Sequence, residues 1–348
     1  MLLIKKMLPV VLAVITTTTG TLAQNADLDK YMIQYQYRDL PHQPVCPNAA
    51  TYSVKVVVPG SISNAIAVES IREGCAIEGM ARKRGAAAIN VTFTTGDLVF
   101  GDITIEEKVE KQKDKDGNEV RVTSYYAQCN YSLQTDTKAT DSTGMKVYSR
   151  RLVLSDTYTS PYQRNRKDAS EYWNNNRESL KSPLATQLVN RATATIGKDL
   201  SYSFGYTACS GTDILWILNA KKHPEHAAQQ AMVVTIQQAF KGMLANETLD
   251  NFNEAMGPVL AYFDDVKSRY TTTSKADKKM RYGAFFNKAL IYLYMDKPAL
   301  AITEAEGLVA NDYDTRDGEN LKKRAMELRD LFLKNARNSR HFIPQGNL

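Results

Sequence analysis

Three groups of residues in this chain are of types that could do chemistry. Asp114, Asp116 and Asn118 place three oxygen side chains at alternate positions, as a calcium loop does. Such a loop also needs glycine at its sixth position and a bidentate acid at its twelfth, because the chain must turn sharply and then close the coordination sphere. Glu119 and Tyr125 stand there, so a charged hairpin tip accounts for the same residues. His223-Pro224-Glu225-His226 gathers two imidazoles and a carboxylate. Its spacing is neither His-Glu-x-x-His nor the inverse, and only His42 and His341 remain to supply another nitrogen ligand. Polar capping of a helix starting near Glu225 is the simpler reading. Four cysteines, Cys46, Cys75, Cys129 and Cys209, form the third group. None is spaced as a zinc site or a redox Cys-x-x-Cys, and Cys129 alternates with Tyr131 and Leu133 as a strand residue does.

No Gly-x-Ser-x-Gly elbow and no glycine-rich strand-to-helix turn occurs, so no catalytic residue, metal ligand or cofactor is assigned. Tyr125, Tyr126, Tyr202 and Tyr206 could stack on sugars, though strand and core packing uses tyrosine equally well.

The first residues bear on compartment. Lys5 and Lys6 precede the apolar run Met7 to Ile15, and Thr21-Leu22-Ala23 ends in the small residue a signal peptidase prefers. A signal peptide over residues 1–23 is expected, with a periplasmic or secreted mature chain and no later span. Its removal lowers the net charge from +6 to +4. The densest basic spots, Arg82-Lys83-Arg84 and Lys221-Lys222, lack interleaved aromatics, so no nucleic-acid groove is expected. In an oxidising compartment the four cysteines allow two disulfides in any of three connectivities, or free thiols.

The elements follow from periodicity. Residues 96–133 read as a long hairpin: Val99, Ile103, Ile105 and Val109 share one face, Lys113 to Asn118 make the turn, and Val120, Val122, Tyr125 and Tyr126 resume the strand. Tyr31, Ile33, Tyr35 and Tyr37 alternate; Tyr52 to Val58, Ala88 to Thr94 and Lys146 to Leu154 have strand composition. Ile66 to Met80 suggests an interrupted helix. Ala169 to Ile196 forms another, which Pro183 should bend or split. The order predicts an α+β domain over 24–205, a mixed or antiparallel sheet with helices on one face. Residues 211–348 read as a helical domain of five helices. In it Phe285, Ala289, Tyr292 and Ala301, with Asp296-Lys297-Pro298 at the turn, resemble a tetratricopeptide repeat. Four positions depart from that pattern: Lys288 stands where an aliphatic residue is usual, Ala305 where an aromatic is, Leu308 where alanine is and Tyr313 where proline is.

As a whole the chain resembles uncharacterised exported proteins of the Bacteroidota. The likeness rests on Ala23-Gln24, Gly101-Asp102, Lys113-Asp114-Lys115-Asp116-Gly117 and the stretch Leu215 to Pro224. It implies an envelope compartment and brings no catalytic residue. Asp141-Ser142-Thr143 resembles the O-glycosylation acceptor of that group, and Asn90, Asn130 and Asn246 begin formal sequons. The expected function is a non-catalytic binding or scaffolding protein that holds a protein partner in the cell envelope. Phe285, Tyr292 and Ala301 mark the candidate surface, because stacked helix pairs present concave faces. The alternatives are a hydrolase with a motif-less active site and a carbohydrate-binding component.

Overall fold

A computed structural model describes residues 26–46, 49–113 and 115–344. The expected signal segment and Asp114 lie outside them.

The chain is α+β. The strands β2 (Thr51–Val57), β3 (Ala81–Arg82), β4 (Ile89–Thr95), β5 (Val99–Lys113), β6 (Glu119–Asp141) and β7 (Lys146–Thr159) form one mixed sheet. Its order is β3-β2-β4-β6-β5, with β7 on the far side of β6. β6 runs for 23 residues and organises the sheet, because it pairs with β4, β5 and β7 and alternates without a slip from Ala127 to Ala139. Ala127, Cys129, Tyr131, Leu133, Thr135, Thr137 and Ala139 are all buried, while Asn130, Gln134 and Lys138 between them are exposed. The hairpin tip carries Gly117 at φ +83°, a conformation that only glycine adopts without strain.

α3 (Arg166–Phe204) covers the buried row, and the short helices α1 (Gly60–Ala65) and α2 (Val68–Gly74) pack beside it, α2 also against β2. α3 starts where the Asn165 side chain accepts the Asp168 N–H at 2.9 Å. It buries Trp173, Leu184, Leu188, Ala192, Ile196 and Leu200. Pro183 does not split it. Pro183 and Ser179, whose carbonyl loses its helical partner to the proline, both lie on the exposed side, and burial on either flank holds the helix against the sheet. Gly74 and Gly197 let α2 and α3 touch, since a Cβ on Gly197 would sit 2.5 Å from the Gly74 carbonyl oxygen.

The remaining two strands form a ribbon of their own. β1 (Leu28–Arg38) pairs antiparallel with β8 (Ala208–Leu218), from Leu28 opposite Leu218 to Arg38 opposite Ala208. The first strand therefore pairs across the expected division near residue 205, and the stretch expected to open the helical part is a strand as far as Leu218. Asp213 to Leu218 is apolar but too short and too β-branched for a stable helix, and β1 supplies the ladder it needs. From residue 226 the chain is helical: α4 (His226–Lys241), α5 (Asp250–Arg269), α6 (Lys275–Tyr294), α7 (Pro298–Ala310) and α8 (Thr315–Asn335). The turn between α6 and α7 falls at Asp296-Lys297-Pro298, with Asp296 at φ +56°.

All four cysteines are free in this structure, one of the two alternatives left open above. Cys129 belongs to the small cluster around Trp173, whereas Cys75 ends α2 in the main core. Burial pushes the Cys75 thiol up to about 12. In native protein an alkylating reagent at neutral pH is expected to modify the exposed Cys46 and leave Cys75 and Cys129 intact until denaturant is added. Labelling of Cys75 at the rate of Cys46, read by peptide mass, contradicts this packing.

Candidate functional site

The β1–β8 ribbon lies against α4, α6 and α8. Trp216 packs on Tyr282 and Phe286 of α6, with ring centroids 5.9 and 6.3 Å away. Asn287, almost fully buried, accepts the Trp216 N–H at 2.8 Å and donates to the Trp216 carbonyl at 2.7 Å. Its amide stands in for a missing strand at the β8 edge. Tyr294 donates to Asp213 at 2.9 Å, and Arg324 of α8 donates to the same oxygen at 2.8 Å. The protein's own ribbon therefore occupies the face of these helices where a stacked-helix groove would be sought.

Phe285, Tyr292 and Ala301 do not meet in that place. Ala301 is 1% exposed, so it contributes packing and no partner surface. Phe285 packs so closely on α7 that a Cβ at Gly307 would lie 2.4 Å from its ring, with Lys267 4.7 Å above it. Tyr292 is half-buried beneath Lys288. The place of Lys288 explains its departure from the repeat pattern. Its buried ammonium bonds Asp264 of α5 at 2.5 Å and Glu304 of α7 at 2.8 Å, so one cation ties three helices together.

One open concavity is a cleft of about 460 Å³ between β1, the end of α6, α8 and the returning C-terminal segment. Alternation on β1 brings Tyr35 and Tyr37 to one side, where they stack with centroids 5.6 Å apart, and Tyr35 meets Tyr294 at 4.6 Å. Arg340 lies 4.3 Å over Tyr37. Asp296 fixes it through a 2.7 Å bond to Nε and a 2.6 Å bond from the Arg340 backbone N–H, and the Leu293 carbonyl accepts from Nη2 at 2.7 Å. The positive φ of Asp296 turns its carboxylate toward that guanidinium. Both arginines of the cleft thus bring their own carboxylate, Asp213 for Arg324 and Asp296 for Arg340. The floor is aromatic and strongly hydrogen-bonding but carries little net charge. Burial raises the Tyr37 phenol, so it stays protonated as a donor at neutral pH.

At the rim, His42 stands 3.4 Å from Asp39 and stacks on Tyr202 at 4.0 Å. No serine, threonine or cysteine lines the cleft. The His223 motif serves structure: its Nδ1 accepts the Glu225 N–H at 3.2 Å just before α4, but no side chain caps the first turn of that helix, as the expected polar capping would require. Glu225 in turn accepts from Tyr262, Arg269 and Tyr270. Among the described residues no three His, Cys, Asp or Glu side chains gather as a metal site would, and no helix is long and apolar enough to cross a membrane. Asn246 of the third sequon accepts from the buried Arg38.

No family model and no curated protein matches the chain. Among solved structures, the solution NMR structure of uncharacterized lipoprotein B from Nitrosomonas europaea aligns with 49% of this chain and 98% of its own, at 9% identity and a TM-score of 0.20. A likeness of that degree carries no argument. The cleft is therefore read from its own residues. Tyr35 and Tyr37 are visible in the sequence as alternating positions, whereas Arg324 and Arg340 carry no local signal, because their partners Asp213 and Asp296 lie on other elements.

Proposed function

We propose that this is an exported, non-catalytic binding protein of the cell envelope that holds a segment of a protein partner in the cleft between β1 and α8. The supporting observation is the stacked Tyr35–Tyr37 pair with Arg340 lying on it. Aromatic faces and a guanidinium held rigid by Asp296 are the anchors that dominate protein recognition, and they lose little entropy on binding. The Lys5-Lys6 and apolar N-terminal pattern supports export, and the resemblance to exported Bacteroidota proteins supports the envelope.

A photo-crosslinking residue in place of Leu331, in the cleft wall, tests this in cells of the source. The expected result is one discrete protein adduct. Tyr37→Ala should weaken the same interaction roughly thirtyfold, about 2 kcal/mol, with an unchanged melting curve. Adducts that persist undiminished in Tyr37→Ala, or that carry only glycan, refute a protein-binding cleft. The glycan outcome favours the carbohydrate reading.

The Asp39–His42 contact supports the hydrolase alternative, since a carboxylate beside an imidazole can orient a general base. The pair is half-buried, and no serine, threonine or cysteine among the residues lining the cleft stands ready for it to activate, so binding remains the reading. Hydrolysis of an envelope polymer that His42→Ala abolishes would reverse that order.

A further inference from the structure

We propose that β7 pairs with β7 of a second copy of this chain, so that two sheets join into one across a two-fold axis at Val153. The sheet ends differently at its other edges. β3 is 2 residues long, and β5 is bent by a register shift in its ladder with β6 at Phe100/Ile103 and then carries six charged residues between Glu106 and Lys113. Those are ordinary protections against strand addition. β7 runs for 14 residues, contains no proline, and pairs on one side alone.

Backbone direction fixes which groups are free. Ser160 N–H donates to the Ala127 carbonyl at 2.8 Å, so even-numbered β7 residues make the ladder with β6. Odd-numbered residues from Ser149 to Thr159 turn their N–H and C=O outward; the register shift opposite Ala139/Thr140 ends the rule before Val147. In the single chain the Thr157 N–H is met by the side chain of Asp156 at 2.8 Å. That is a local substitute for a strand partner.

The side chains select the occupant and the register. From Tyr148 to Tyr158 the strand reads Tyr-Ser-Arg-Arg-Leu-Val-Leu-Ser-Asp-Thr-Tyr, nearly the same from either end. Antiparallel pairing about Val153 sets Val153 against itself, Leu152 against Leu154, Tyr148 against Tyr158 and Arg150 against Asp156 of the other copy. Paired residues are then both odd or both even, so every outward N–H meets an outward C=O. A shift that centred the axis between Arg150 and Arg151 would oppose like charges. On the helix side Arg150 already pairs with Asp199, and Asp156 with Arg191 at 2.9 Å, so the new contact extends an ion-pair row without burying a lone charge. Val153 is 66% exposed in the single chain and is the one large apolar residue on the open face of this strand. The helices leave room: β6 and its copy would stand three strand spacings apart, about 14 Å, against the roughly 10 Å that two packed helices need.

Sedimentation of the full chain tests this. The expected mass is twice that of one chain at high micromolar concentration, falling to one chain on dilution. Val153→Lys, which sets two ammonium groups face to face, should give a single-chain mass at every concentration with unchanged circular dichroism. In a Cys46→Ser background, Val153→Cys should crosslink to itself on mild oxidation, because directly opposed Cα atoms stand about 5.5 Å apart, within disulfide range. Arg151→Cys and Ser155→Cys should crosslink when mixed and not when alone. A wild-type mass of one chain throughout, a dimer indifferent to Val153→Lys, or crosslinking without this register each overturns the proposal.

Discussion

Replacing Lys288 by methionine is expected to lower the unfolding free energy by about 3 kcal/mol, read as a shift of the urea midpoint at unchanged slope. The side chains of Lys288 and Glu304 are 3% and 11% exposed, so removing the cation leaves Glu304 with a carboxylate that water barely reaches. Lys267, which bonds Asp264 and Glu304 at 2.8 Å each, compensates only in part. By contrast Lys323, 3.9 Å from Glu327 and mostly exposed, should lose less than about 0.5 kcal/mol on the same change. Adding Glu304→Leu to Lys288→Met should recover part of the loss, because Lys267 and Asp264 then remain a balanced pair. The pH dependence has a definite sign. Burial alone would raise the Asp264 carboxyl and lower the Lys288 ammonium, but hydrogen bonds from Lys267 and then Lys288 hold Asp264 below its ordinary value, and those to Asp264 and Glu304 hold Lys288 above its own. The Asp264 contribution is complete above its unfolded pKa and is lost as pH falls through the folded one. The Lys288 contribution is complete below its unfolded pKa and is lost as pH rises through the folded one. The gap between wild type and Lys288→Met should therefore be flat around neutrality and narrow at both extremes. A variant as stable as wild type at pH 7 would show that the cluster contributes nothing.

Gly197→Ala should cost about 3 kcal/mol. Alanine ordinarily stabilises a helix by up to ~1 kcal/mol over glycine, so the expected sign is opposite to propensity. The reason is the approach of α2: the new methyl would stand 2.5 Å from the Gly74 carbonyl oxygen, which is backbone and cannot swing aside. A stabilising Gly197→Ala in thermal melts would mean that the two helices do not touch as described.

Much of this architecture was legible where partners are close in sequence. The hairpin through Gly117 and the α6–α7 turn at Asp296-Lys297-Pro298 were readable because alternation and turn chemistry are local properties. The pairing of β1 with β8 was not. Tyr31, Ile33, Tyr35 and Tyr37 announce a strand, but no short-range pattern says which of several strands will receive it. The cleft was hidden for the same reason, since Arg340 and Tyr37 come from opposite ends of the chain. Lys288 stood out as an anomaly in a repeat-like face, and its meaning needed Asp264 and Glu304 in view. Ala301 was misjudged as surface because a small residue at a helix crossing looks the same in sequence whether it faces a partner or a neighbouring helix.

The ribbon also sets an order of events. During synthesis the first strand emerges early, yet its mate follows about 170 residues later, and the Arg340 carbonyl that takes the Arg38 N–H at 2.8 Å follows later still. Closing so long a loop costs roughly 4–5 kcal/mol of chain entropy, which the intervening sheet and α3 can prepay by folding first. The beginning of this protein must therefore wait, unpaired, for its end.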